Sequence, residues 1–190
     1  LLSASRAAAE ARQATEFGVR DSAEAKVDFA AVMQRMRRLR ADISPHDSAA
    51  RFRDAGIDVY LGDGAFTGPQ TLRVGGQTLS FKKAVIATGA RAAAPPIPGL
   101  DQVEYLTNET LFSLTELPPR LAIIGAGPIG CEMAQAFARL GAQVTLLEAA
   151  PQILIREDPD AAALIQRALK ADGVDIKVGC RIDAVRAAEA

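Results

Sequence analysis

The run Leu121 to Glu148 limits what this chain can fold into more than any other stretch. The apolar residues Leu121 to Ile124 lead directly into Gly125-Ala126-Gly127-Pro128-Ile129-Gly130. A helical pattern follows to Leu140 and is closed by Gly141. A second apolar strand, Gln143 to Leu147, ends in Glu148, 23 positions after Gly125. A GxGxxG triplet of glycines is a weak signal by itself, but between a strand and a helix each glycine has a separate physical reason. Gly125 permits the tight turn, Gly127 lets backbone approach a pyrophosphate, and Gly130 lets the helix pack closely on the strand. The helix start offers unpaired N–H groups and a positive dipole end to phosphates. Pro128 suits a first helical turn, where its missing N–H costs nothing. Glu148 stands where a carboxylate accepts hydrogen bonds from adenosine ribose hydroxyls and repels a 2′-phosphate, which favours NAD(H). Neighbouring arginines leave NADP(H) open. The bland alternative is a Gly-rich turn in another α/β domain with Glu148 merely solvated.

The rest of the chain divides around this unit. Leu1 to about Phe17 is Ala-rich with interspersed Glu and Arg, a strong helix former, and Gly18 with Asp21-Ser22 marks a break. Phe29, Val32, Met33, Met36, Leu39 and Ile43 recur at threes and fours, defining one helical face for a core or an interface. Ser44-Pro45 ends that helix, and Asp47 to Ala55 reads as a short one stopped by Gly56. Ile57 to Leu61 alternates like a strand and turns at Gly62-Asp63-Gly64. Thr71 to Val74 and Gln77 to Phe81 flank Gly75-Gly76, a hairpin signal. Ala84-Val85-Ile86-Ala87 reads as a buried strand leading into Thr88-Gly89-Ala90 and a rigid connector, Pro95-Pro96-Ile97-Pro98-Gly99. Pro118-Pro119 is the candidate boundary, dividing 1–117 from 118–190. Beyond Glu148, a helix over Asp158 to Ala171 and a third strand over Val174 to Val178 continue the alternation. Strands separated by helices imply a parallel sheet.

Composition narrows the classes of function. A net charge of −1 gives no overall field for nucleic acid or an anionic membrane. The basic cluster Arg35, Arg37, Arg38 and Arg40 lies on a helical pattern and reads as a solvated face, as do Glu10, Arg12 and Glu16. No run approaches the ~18 apolar residues of a membrane span. The two cysteines, Cys131 and Cys180, have neither metal-ligand nor CxxC spacing, so no metal site is expected and a reducing cytoplasm is the default. Cys131 in the first turn of the nucleotide helix is either a thiol activated by the dipole or a small buried residue, the latter being more usual. His46, the only histidine, reads as an exposed residue at a helix start, with a general base as the alternative.

With those residues in place, the whole chain resembles the pyridine nucleotide-disulfide oxidoreductases, FAD flavoproteins of Rossmann-like α/β fold with a small antiparallel β meander. Ala84 to Arg91 followed by Pro95 to Gly99 resembles the family's second flavin motif before a PxIPG connector. Gly62-Asp63-Gly64-Ala65-Phe66 resembles its GxGxF turn at the FAD adenine, and Gly125 to Glu132 its GxGxxGxE form. The wording of Val27 to Leu39 and of Arg156-Glu157-Asp158-Pro159 is closest to a mercuric reductase-like branch, whereas Glu148 is closer to a dihydrolipoamide dehydrogenase-like pattern. By this resemblance Gly62, Thr88, Gly89 and Ala90 contact FAD, Ala90 replacing the commoner Ser. Gly125, Ala126, Gly127, Pro128, Ile129, Gly130, Glu132, Glu148 and Ile182 line the NAD site, with Glu132 near the nicotinamide and Ile182 near the adenine. The implied activity moves hydride from NAD(P)H to FAD and on to a disulfide or a metal ion. The alternatives are an NAD(H)-binding module without catalysis and a flavoenzyme of the NADH oxidase or ferredoxin reductase type.

The resemblance also implies residues outside this sequence: a first FAD motif, a CxxxxC redox pair upstream of Leu1 and a C-terminal domain through which the parent enzyme dimerises. The expectation is therefore a central fragment, 1–117 from the FAD domain and 118–190 from the NAD(P) domain, with no catalytic residue of its own. The purified 190-residue chain is expected to show no disulfide or Hg(II) reduction with NADH, and measurable turnover in an NADH-oxidation assay overturns that expectation.

Overall fold

A computed structural model describes residues 1–19 and 26–187; the expected break at Asp21-Ser22 lies outside them. The chain forms two compact units, Leu1–Arg37 with Ala94–Ala190, and Arg38–Ala93. This grouping is drawn differently from the sequence boundary at Pro118, because the opening helices pack with the later half of the chain.

In the first unit, α1 (Leu2–Gln13) is followed by a 3-10 turn, Ala14–Phe17, which Gly18 caps at φ 82°. The helix α2 (Phe29–Ile43) belongs to this unit as far as Arg37, and over that part it buries Phe29, Met33 and Met36 from the expected stripe. Leu39 and Ile43 remain exposed. The sheet of this unit is parallel and runs β4 (Arg120–Ile124), β5 (Gln143–Leu147) and β6 (Asp175–Lys177) in that order. Its register pairs Leu121 with Val144 and Leu146 with Ile176. The crossovers are α4 (Pro128–Leu140) and α5 (Pro159–Ala171). Gly141 ends α4 at φ 114°, and the side chain of Asp158 accepts the Asp160 N–H to start α5.

The core lies between the sheet and α4. Val144 and Leu146 of β5 are buried, while Thr145 and Leu147 are half-buried and Gln143 is exposed. Phe137 is fully buried, and Phe29 of α2 meets it with ring centroids 5.8 Å apart at 50°. That tilted packing is favoured by the ring quadrupoles. The outer side of α4 is tied to the end of α5 by Asp172, which accepts Arg139 Nε at 2.9 Å and Gln135 Nε2 at 2.7 Å. A second Arg139 nitrogen, Nη2, lies 2.9 Å from Asp172 Oδ2, completing a bidentate fork. Arg37 of the basic cluster donates to the Leu114 carbonyl at 3.2 Å. The Pro-rich connector is held by the Val185 N–H, which donates to the Pro98 carbonyl at 2.9 Å.

The second unit holds α3 (Ala49–Asp54), capped by the Ser48 hydroxyl, and an antiparallel meander. Its strands are β1 (Ala65–Gly68), β2 (Thr71–Val74) and β3 (Gln77–Ser80). Gly75 and Gly76, at φ 54° and 78°, form the two-residue turn between Val74 and Gln77, as a tight hairpin requires. The Phe66 and Phe81 rings meet edge to face at 5.8 Å. His46 is exposed, and its backbone carbonyl accepts from the Arg51 guanidinium.

Two expected strands are absent. Ile57 to Leu61 and Ala84 to Ala87 have no strand structure, and Val85 is 91% exposed. An apolar run becomes a strand only where a neighbouring strand supplies its hydrogen bonds. Neither three-stranded sheet takes these segments as a fourth strand.

Phe137→Ala removes the largest fully buried side chain from the α4 face. It is expected to cost about 3–5 kcal/mol, read as a lowered urea midpoint.

Candidate functional site

The site is built at the carboxyl ends of β4 and β5. The Gly125 N–H, just past β4, donates to the Leu147 carbonyl at 2.8 Å, extending the ladder to the last residue of β5. Gly125 then turns at φ 98°, a conformation that side chains resist. Gly130 lies over that turn. A Cβ at Gly130 would run into the Gly125 carbonyl oxygen, so the helix approaches as closely as it does only because no side chain intervenes. Gly127 is different: its φ of −72° and ψ of −177° suit any residue, and a Cβ there would meet nothing within 4 Å. The glycine at this position keeps space open instead of permitting a turn.

Glu148 closes the site from the end of β5. Its Oε2 accepts the Ala126 N–H at 2.7 Å and its Oε1 accepts the Ala150 N–H at 2.9 Å. Its own N–H donates to the Lys177 carbonyl at 2.8 Å. One half-buried carboxylate therefore joins the glycine turn to the loop after β5. Two acceptor bonds leave further lone-pair positions on the two oxygens.

Cys131 is 5% exposed, and its Sγ lies 3.4 Å from the Ala126 carbonyl oxygen. Burial pushes its thiol up to about 11, helped by the negative charges of Glu148 and Glu132. The helix dipole does not win here. Of the two readings of Cys131, the structure supports the buried, protonated residue. Cys180, half-buried, places its Sγ 3.4 Å from the Glu148 carbonyl, and both thiols are free.

The structure thus brings Gly125, Ala126, Gly127, Pro128, Ile129, Gly130 and Glu148 together around the start of α4. Glu132, one turn further, is exposed on that helix, and Ile129 is 59% exposed. Ile182 lies beyond β6, half-buried between Arg181 and Asp183, which pair at 3.1 Å. Gly62, at φ 137°, lies against the hairpin turn, its would-be Cβ 3.2 Å from the Gly75 nitrogen. Thr88, Gly89 and Ala90 are exposed in a segment without helix or strand. Sequence reasoning missed the loop after β5. Leu154, in that loop, donates its N–H to the Ala126 carbonyl at 2.8 Å from a left-handed backbone at φ 51°. Nothing in a leucine signals that conformation.

Strand, glycine turn, helix and strand-terminal acid define a Rossmann-like α/β unit of the FAD/NAD(P)-binding class. The comparisons with known proteins narrow this class. The family model described as pyridine nucleotide-disulphide oxidoreductase matches residues 6–190, and the chain belongs to that family. It is 35% identical over 159 residues to a mercuric reductase of Bacillus cereus, covering 84% of this chain and 25% of that protein. It is 31% identical over 169 residues to a dihydrolipoyl dehydrogenase of Acholeplasma laidlawii, covering 87% and 50%. Among solved structures, the Cu(II) complex of the HOCl-induced flavoprotein disulfide reductase RclA from Escherichia coli superposes with a TM-score of 0.77. That match is 32% identical and covers 99% of this chain and 40% of the other. The chain therefore spans between a quarter and a half of the length of these relatives.

Gly130→Ala is expected to destabilise the fold by about 1–3 kcal/mol through backbone displacement, measured by urea unfolding. The raised folded-state pKa of Cys131 gives a signed pH effect. Its contribution to stability is complete below about pH 9, where the unfolded thiol keeps its proton. That contribution is lost as pH rises toward about 11. Cys131→Ala is expected to flatten this part of an alkaline unfolding profile.

Proposed function

We propose that this chain is the dinucleotide-binding portion of an FAD-dependent oxidoreductase that takes hydride from NAD(H). In this reading residues 118–190 belong to the NAD(P) domain and 1–117 to the FAD domain. The observation that carries it is the carboxylate of Glu148 bonded to the Ala126 N–H beside an open Gly127. A pyrophosphate needs backbone to approach without a Cβ, and a Cβ at Gly127 would occupy space that is empty of protein. The start of α4 supplies the positive dipole end next to that space. Glu148 would hold the adenosine ribose with its remaining lone pairs, and its charge disfavours a 2′-phosphate. Pro128, Ile129, Gly130 and Glu132 border the same helix start, and Ile182 is assigned to the adenine side.

Gly62, Thr88, Gly89 and Ala90 are assigned to FAD on the family resemblance; no comparably built cradle supports them. When bound, the nicotinamide and flavin supply the hydride chemistry. This chain's own residues bind and orient. The final acceptor, a disulfide or a metal ion, follows the family. Mercuric reductase and dihydrolipoyl dehydrogenase relatives match this chain to similar extents. The second reading is an NAD(H)-binding module without catalysis, favoured by the exposure of Thr88, Gly89 and Ala90, the residues assigned to FAD, in a segment without helix or strand. Flavin absorbance co-purifying with the chain separates the two.

Calorimetric titration tests the proposal. NADH is expected to bind more tightly than NADPH. Gly127→Ala is expected to weaken NADH at least about tenfold, roughly 1.4 kcal/mol, with the urea midpoint unchanged. Equal NADH affinity for Gly127→Ala and the unaltered chain argues against a pyrophosphate at this turn.

A further inference from the structure

The peptide units flanking Ala126 are held on every side. The Ala126 N–H donates to Glu148 Oε2, and its carbonyl accepts both the Leu154 N–H and the Cys131 thiol. Ala126 itself is fully buried. Its neighbours Gly125 and Gly127 each have open space where a Cβ would stand. The middle of the glycine turn is therefore fixed through Ala126, and two of its three holds come from β5 and the loop behind it.

The hold from Leu154 depends on an unusual backbone. Among the described residues, Leu154 is the only non-glycine with positive φ. A Cβ makes that region sterically unfavourable, and for a branched-at-Cβ residue it is more so. The conformation bends the chain directly after Ile153, which is fully buried. The Leu154 N–H donates to the Ala126 carbonyl, and the positive φ sends the chain on from that bond so that the Leu154 carbonyl accepts the Glu157 N–H at 2.8 Å. The leucine side chain is only partly buried at the edge of the core. Backbone strain of this kind persists where the surroundings over-determine it, and here the surroundings are the glycine turn.

We propose that Leu154 is a positioning residue for the dinucleotide turn: its left-handed backbone carries the N–H that fixes the Ala126 carbonyl, and so sets the shape in which the turn meets a pyrophosphate. The inference rests on the dinucleotide reading proposed above. It assigns the loop after β5 a part in cofactor affinity that its sequence does not signal. It also separates two roles for residue 154. If the side chain matters through packing, affinity and stability both fall with its volume, so glycine is worst. If the backbone matters, glycine is tolerated at the turn and a β-branched residue is not.

The experiment compares the 190-residue chain with Leu154→Gly and Leu154→Val. Amide exchange at residue 154, whose N–H makes the bond to the Ala126 carbonyl, is followed by NMR without ligand, and NADH affinity by calorimetry. Leu154→Val is expected to lower amide protection at residue 154 and to weaken NADH by about three- to tenfold, the effect of added strain on the turn. Leu154→Gly is expected to keep NADH affinity within about twofold, even where its urea midpoint falls from lost packing. An affinity order of Leu over Val over Gly overturns the proposal, as does unchanged exchange at residue 154 in Leu154→Val. An unaltered chain that binds no NADH overturns the dinucleotide reading instead, and the exchange comparison then decides by itself whether the Leu154 backbone holds the Ala126 carbonyl.

Discussion

The approach of α4 to the end of β4 is the contact on which the functional half of this chain depends. Gly130 sits over the Gly125 carbonyl at a separation that admits no side chain. Because the helix can come this close, its apolar face reaches Val144 and Leu146 and seals Phe137 from water. The same approach brings the free N–H groups of the helix start to the rim of the sheet, next to the carboxyl end of β5. Packing and site geometry are thus two consequences of one missing Cβ.

Glu148 shows how such a site is held without losing its chemistry. A half-buried carboxylate with no partner would be costly, and here both oxygens accept backbone N–H groups from two loops. That arrangement keeps the charge in place and locks the glycine turn against the loop after β5. The negative charge is also felt by Cys131, whose thiol is held protonated by burial first and by Glu148 second. A residue that reads as a candidate reactive cysteine at a helix N-terminus becomes, in this setting, a weak donor to the Ala126 carbonyl.

Much of this was legible in the residues. Local patterns located α1, α2, α4, α5 and the Gly75-Gly76 hairpin because each depends on neighbours a few positions away. The glycine spacing and Glu148 were legible for the same reason: their steric and electrostatic tasks are local to a strand, a turn and a helix. The exposed Val85 and Ile86 were misread because apolar character alone does not supply a neighbouring strand. The clasp from Leu154 was not legible at all, since a left-handed leucine is an outcome of its surroundings and not of its side chain.

The sequence by itself determined the parallel α/β unit, the position of the turn and the acid that faces it, because glycine sterics, capping and hydrophobic period act over short distances. Tertiary structure decided which apolar runs became strands, that α1 and the first part of α2 pack with the later half of the chain, and that Cys131 is a buried thiol. It also decided that the loop after β5 holds Ala126. These depend on which distant segments supply hydrogen bonds and exclude water, and that is settled only when the chain has packed.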